Sequence, residues 1–143
     1  MIANPLSAGQ WLACSAAVVG LLGALHLLYT FRGKKLRPRD THLERQMQLV
    51  SPEISRYTTM WRAWVGFNAS HSMGALLFAL VFGWFGLAQP ELFFHSPFII
   101  AVGFATLVGY VLLAKEYWFW IPLTGLSISL VLYCWAVLQA WLA

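Results

Sequence analysis

Residues 10–31 read QWLACSAAVVGLLGALHLLYTF and run straight into 32–39, RGKKLRPR. An uncharged stretch near the ~20 residues that a helix needs to cross hydrocarbon, closed by a burst of basic residues, is where a chain leaves a bilayer. Three further apolar stretches follow, from Trp61 to Leu87, Pro97 to Ala114 and Trp118 to Leu142. The expected fold is all-α, a four-helix transmembrane bundle. The 143 residues form one integral membrane domain, with a basic loop at 32–60 and no room for a separate soluble domain.

Although 60% of the residues are hydrophobic and only 10% charged, all nine Lys and Arg fall on one side of these spans. Seven lie in the first connection, Arg62 opens the second span, and Lys115 lies between the third and fourth. The positive-inside rule makes that side cytoplasmic and puts both termini outside, in a bacterial inner or plasma membrane. The first span has no basic n-region and exceeds an h-region in length, so it is expected to remain as helix one. The net charge of +4 belongs to a membrane-flanking loop. Membrane lipids are therefore its expected partners, and nucleic acid is not.

Aromatic residues follow the same geometry. Tyr29, Tyr57, Trp61, Trp64, Tyr117, Trp118 and Trp120 gather at the cytoplasmic boundary, with Trp11, Trp84 and Trp141 at the other, as interfacial belts require. Cys14 and Cys134 lack metal-ligand spacing and read as two inert thiols; a bridge between them needs helices one and four to be neighbours. Ala16, Gly20, Gly23 and Ala24, and Gly103, Ala105 and Gly109, offer surfaces for close helix approach. Gly83, Gly86 and Pro90 are read as loosening and ending the second span.

Within the basic loop, Asp40 or Thr41 can cap a short helix, and Thr41 with Glu44 has capping-box spacing. Leu43, Met47, Val50, Ile54 and Tyr57 recur at steps of four and three opposite Arg45, Gln48 and Arg56, which predicts an amphipathic interfacial helix. Ser51-Pro52-Glu53 reads as a fresh helix start, so a second surface helix is expected to lead into span two.

Polar groups inside the spans are the candidates for chemistry, because burying them in hydrocarbon costs free energy. Span two supplies the clearest case in Trp64, Asn68, His71, Ser72 and Ala75, with Asn68, His71 and Ser72 on one helical face. At about 1.5 Å per residue, His71 lies on the order of 10 Å below the Trp61–Trp64 level, and His26 about 9 Å below Arg32. Both sit in the cytoplasmic half and are expected to face each other. Tyr110 and Glu116, with Thr106, Thr124 and Ser127, are expected to complete a polar pocket there.

Three function classes follow. In the first, His71 and His26 act as general base and acid on a small amphipathic or lipid-like molecule; Asn68 and Tyr110 orient it, and Arg37, Arg39 and Arg45 gather its headgroup. The second is a heme or metal ion held by His26 and His71, with Glu116 assisting a non-heme metal. The third is a structural or accessory subunit, as a homo-oligomer or within a larger membrane complex. A transporter is disfavoured, since the spans contain no acidic relay and no evident inverted repeat.

The size, the four spans and the long basic first loop are similar in outline to the MAPEG family of glutathione- and lipid-handling membrane enzymes. The segment corresponding to that family's polar motif on helix two is Arg62-Ala63-Trp64-Val65-Gly66-Phe67-Asn68-Ala69-Ser70-His71, in which Arg62, Ala63 and Asn68 carry the likeness. The resemblance implies a lipid-handling enzyme and transfers no glutathione-binding residue.

Overall fold

The computed structural model describes residues 6–142. They form helices α1 (Ala8–Phe31), α2 (Thr41–Leu49), α3 (Met60–Ala88), α4 (Pro90–Phe94), α5 (Pro97–Tyr117) and α6 (Trp120–Leu142), with no strand among the described residues. Four of them, α1, α3, α5 and α6, are long and apolar enough to cross a membrane. The chain is an integral membrane protein with an all-helical fold. Leu21, Phe67, Leu77, Leu80 and Val131 are exposed on these helices, a pattern that suits hydrocarbon as solvent.

The chain divides into two compact units: one comprises the chain up to Leu22 and from Ala75 onward, the other Gly23–Gly74. In the first, four helices pack in a closed ring. Gly9 and Gly86 bring α1 against α3 so closely that a Cβ on Gly86 would lie 2.9 Å from the Ala13 nitrogen and would overlap the Gly9 carbonyl. Gly86 is thus a packing residue, and the expectation that it loosens span two is corrected. Ser15 and Ser129 join α1 to α6; Tyr133 of α6 donates to the Ile100 carbonyl of α5 at 2.8 Å. Gly103 leaves room on α5 for the Tyr133 hydroxyl and the Phe82 ring.

One end of this unit is filled by aromatic rings. Phe93 of α4 is fully buried and meets Phe82 and Tyr133 edge to face, with centroids 6.0 and 5.9 Å apart. The short helix α4 was not anticipated from the sequence. Pro90 at its start and a Phe-Phe pair to bury turn the expected turn at 89–96 into one helical turn and a half.

The last turn of α5 also extends beyond the expected boundary, so Lys115 and Glu116 are helical rather than part of a connection. Both are good helix formers, and a cation in the last turn faces the negative end of the helix dipole. Cys14 and Cys134 are free thiols.

In the second unit, Asp40 caps α2 by accepting from the His42 N–H at 2.8 Å. Val50 then leaves the helix with φ −90° and ψ 133°. Pro52 cannot donate and disfavours helical geometry at Ser51, so the periodicity through Ile54 and Tyr57 is not carried by a helix. The expected second surface helix is absent. Residues 51–59 instead form a tight loop closed by a 2.8 Å bond from the Met60 N–H to the Val50 carbonyl.

Candidate functional site

The unit Gly23–Gly74 contains the C-terminal part of α1, the basic loop and the N-terminal part of α3. His26 projects from α1 one turn before Thr30, whose hydroxyl donates to the His26 carbonyl at 2.8 Å. Asn68 stands on α3 and is only 8% exposed. Its Nδ2 donates to the Trp64 carbonyl at 2.7 Å, which leaves Oδ1 turned toward His26 Nε2 at 3.0 Å.

These two bonds fix a tautomer. The Trp64 carbonyl can only accept, so the NH₂ of Asn68 must point to it, and the remaining amide oxygen can only accept from His26. His26 Nε2 therefore carries a proton, and in the neutral ring Nδ1 is the basic atom. His71, one turn beyond Asn68 on α3, meets His26 edge to face, with ring centroids 5.3 Å apart and planes at 78°. Ser72 is fully buried and donates to the Asn68 carbonyl at 2.9 Å, which satisfies its hydroxyl within its own helix.

Above the cluster, the loop is fastened to the start of α3. The Trp64 indole donates to the Leu36 carbonyl at 3.0 Å, so this boundary tryptophan ties down the chain leaving α1. Arg37 pairs with Glu44 at 3.2 Å and lies over the Trp61 ring at 5.8 Å, while Lys35 covers Tyr29 at 4.0 Å. Gly33 turns the chain with φ +91°, a conformation costly for any residue with a Cβ. These contacts enclose a cleft of about 30 Å³ lined by Thr30, Arg37, Trp64 and Asn68 among others. That volume holds a water or two and no headgroup.

His26, Asn68, His71, Trp64, Ser72, Arg37, Arg39 and Arg45 all belong to this unit, with Arg39 and Arg45 exposed. Tyr110 is half-buried on α5 and Glu116 exposed at that helix's end, both in the other unit. Thr106 donates to the Val102 carbonyl of its own helix, and Thr124 and Ser127 line an open face of α6 with Leu123 and Val131.

A heme between His26 and His71 does not fit this arrangement. Axial ligation aims two ring nitrogens at one iron from opposite sides, whereas here the rings are in edge-to-face contact and His26 Nε2 is engaged by Asn68. Among the described residues, no group of three or more His, Cys, Asp and Glu is placed to hold a metal ion.

The polar pair that the sequence reading passed over is Ser15–Ser129, both fully buried in the first unit. Each hydroxyl lies 2.8 Å from the other; Ser15 Oγ is 2.8 Å from the Ser129 carbonyl, and Ser129 Oγ is 3.0 Å from the Ser15 carbonyl. The signal was present as Ser beside the small-residue stripe of α1, where it reads as a small packing residue. Comparison with protein-family models, curated proteins and solved structures yields no match.

Proposed function

We propose that this membrane protein takes a small amphipathic molecule at its basic, cytoplasmic boundary and handles a proton on it through the His26–His71 pair. The observation that carries the reading is the 5.3 Å edge-to-face contact of the two imidazoles, with His26 oriented by Asn68. Two positive charges at that separation repel by roughly 3 kcal/mol at an effective dielectric of about 20. Imidazole can both give and take a proton, so the two adjacent rings suit acid and base roles on one bound molecule. Asn68, with both amide ends engaged, serves as a positioning residue. Arg39 and Arg45 attract a negative headgroup. Because the cleft is too small for that headgroup, entry requires the Trp64–Leu36 bond to open.

Native mass spectrometry of the protein released from bilayers tests this. The expected result is a bound amphiphile at fixed stoichiometry on the wild type, lost from Asn68→Leu while helix content is unchanged. A wild type without a bound molecule, or equal retention by the variant, would overturn the reading. The small cleft favours a second reading, an accessory subunit of a larger membrane complex; partner subunits without a bound amphiphile would support it.

A further inference from the structure

We infer that the loop at 51–59 is a membrane finger: Ile54 and Tyr57 insert into the cytoplasmic leaflet, held there by anionic lipid headgroups. This rests on the basic loop being cytoplasmic and is independent of the histidine chemistry. Ile54 is 93% and Tyr57 96% exposed, the two most exposed large apolar side chains among the described residues, and Leu49 and Val50 just before the loop are also exposed. Apolar side chains this exposed on a structured loop have no use in water, yet they suit the boundary between headgroup and acyl chain, where an aliphatic side chain and a phenol both find their solvent.

Two observations identify the bilayer as the occupant. The first is reach. Val50 is bonded to Met60, the first residue of a spanning helix, so both ends of the loop are fixed at the start of α3. Ile54 is four residues from Val50, which limits it to about 14 Å even if that stretch were fully extended. The headgroup layer is within that radius.

The second is charge. The connection between α1 and α3 contains Arg32, Lys34, Lys35, Arg37, Arg39, Arg45 and Arg56 against Asp40, Glu44 and Glu53. Arg56 lies between the two inserting residues, and the one ion pair found among the described residues, Arg37 with Glu44, leaves Arg39, Arg45 and Arg56 exposed for lipid phosphates. The finger replaces the surface helix as the anchoring element: α2 ends at Leu49, and the apolar side chains that continue its periodicity become the finger's tip.

The test uses the full chain with Cys14→Ser and Cys134→Ser, spin-labelled at Ile54→Cys and reconstituted in two kinds of vesicle. One is phosphatidylcholine alone; the other is phosphatidylcholine and phosphatidylglycerol in equal parts. Collision with oxygen, which partitions into lipid, is compared with collision with a water-soluble nickel chelate; Lys34→Cys serves as the reference. In the mixed vesicles the Ile54 label is expected to favour oxygen and the Lys34 label nickel. Replacing Arg39, Arg45 and Arg56 by Gln should move the Ile54 label toward water. A label at Ile54 that favours nickel in both vesicles overturns the insertion. Insertion that ignores both the lipid charge and the arginines overturns the headgroup contribution. If Ile54→Cys does not incorporate, Tyr57→Cys gives the same reading.

Discussion

At the residue scale, the polar atoms inside the spans are almost all satisfied, and the partners differ in kind. Ser72, Thr30 and Thr106 donate to carbonyls of their own helices and ask nothing of a neighbour. Asn68 and the Ser15–Ser129 pair reach across to another helix. Hydrogen bonds of that kind contribute on average about 0.6 and up to about 1.7 kcal/mol in membrane proteins. Ser15→Ala and Ser129→Ala should each lower unfolding stability in mixed micelles by about that amount. The double variant should lose clearly more than either single one, since each hydroxyl donates to the other residue's main-chain carbonyl, a bond that survives the partner's replacement. A double variant no less stable than either single one would mean that neither hydroxyl holds the opposite carbonyl on its own.

Asn68 was legible as a polar residue on the face shared with His71, because steps of three and four are read directly from numbering. Its two partners were not. Which carbonyl an amide reaches depends on rotamer and helix rotation, and neither is encoded in spacing.

At the element scale, the four spans were readable to within three residues because length and apolar content decide them locally. α4 was not, since one and a half turns at Pro90–Phe94 are held by burial of Phe93 against Phe82 and Tyr133, partners distant in sequence. Continuation of α2 failed for the opposite reason: the periodicity through Tyr57 was real, but Pro52 and the extended geometry at Val50 end the helix before it.

Glycine shows the same division. Gly86 and Gly109 look alike in sequence, yet a Cβ on Gly86 runs into the α1 backbone and one on Gly109 meets nothing within 4 Å. Gly86→Ala should cost about 1–3 kcal/mol by overpacking, while Gly109→Ala should be neutral or slightly stabilising. Unfolding of the two variants in mixed micelles checks this; equal effects would mean that α1 and α3 do not approach at Gly9 and Gly86.

At the scale of the whole molecule, eight of the nine basic residues and both His26 and His71 fall within one compact unit, Gly23–Gly74. The loop between α1 and α3 contains seven of them and is fastened at Trp64 and Arg37, close to Asn68. On this account the same basic loop attracts a headgroup, rests on lipid through its finger and covers the cleft that Asn68 lines beside His26.

The central claim is that this pair exchanges protons with the basic side of the membrane. It is tested most directly by the nitrogen chemical shifts of isotopically labelled His26 and His71 in proteoliposomes whose inner and outer pH are set independently. Their orientation is read from protease cleavage of the basic loop. Our account predicts that the shifts respond to the pH on the loop's side and ignore the other side. Shifts that follow the opposite side, or do not change with either, would contradict it.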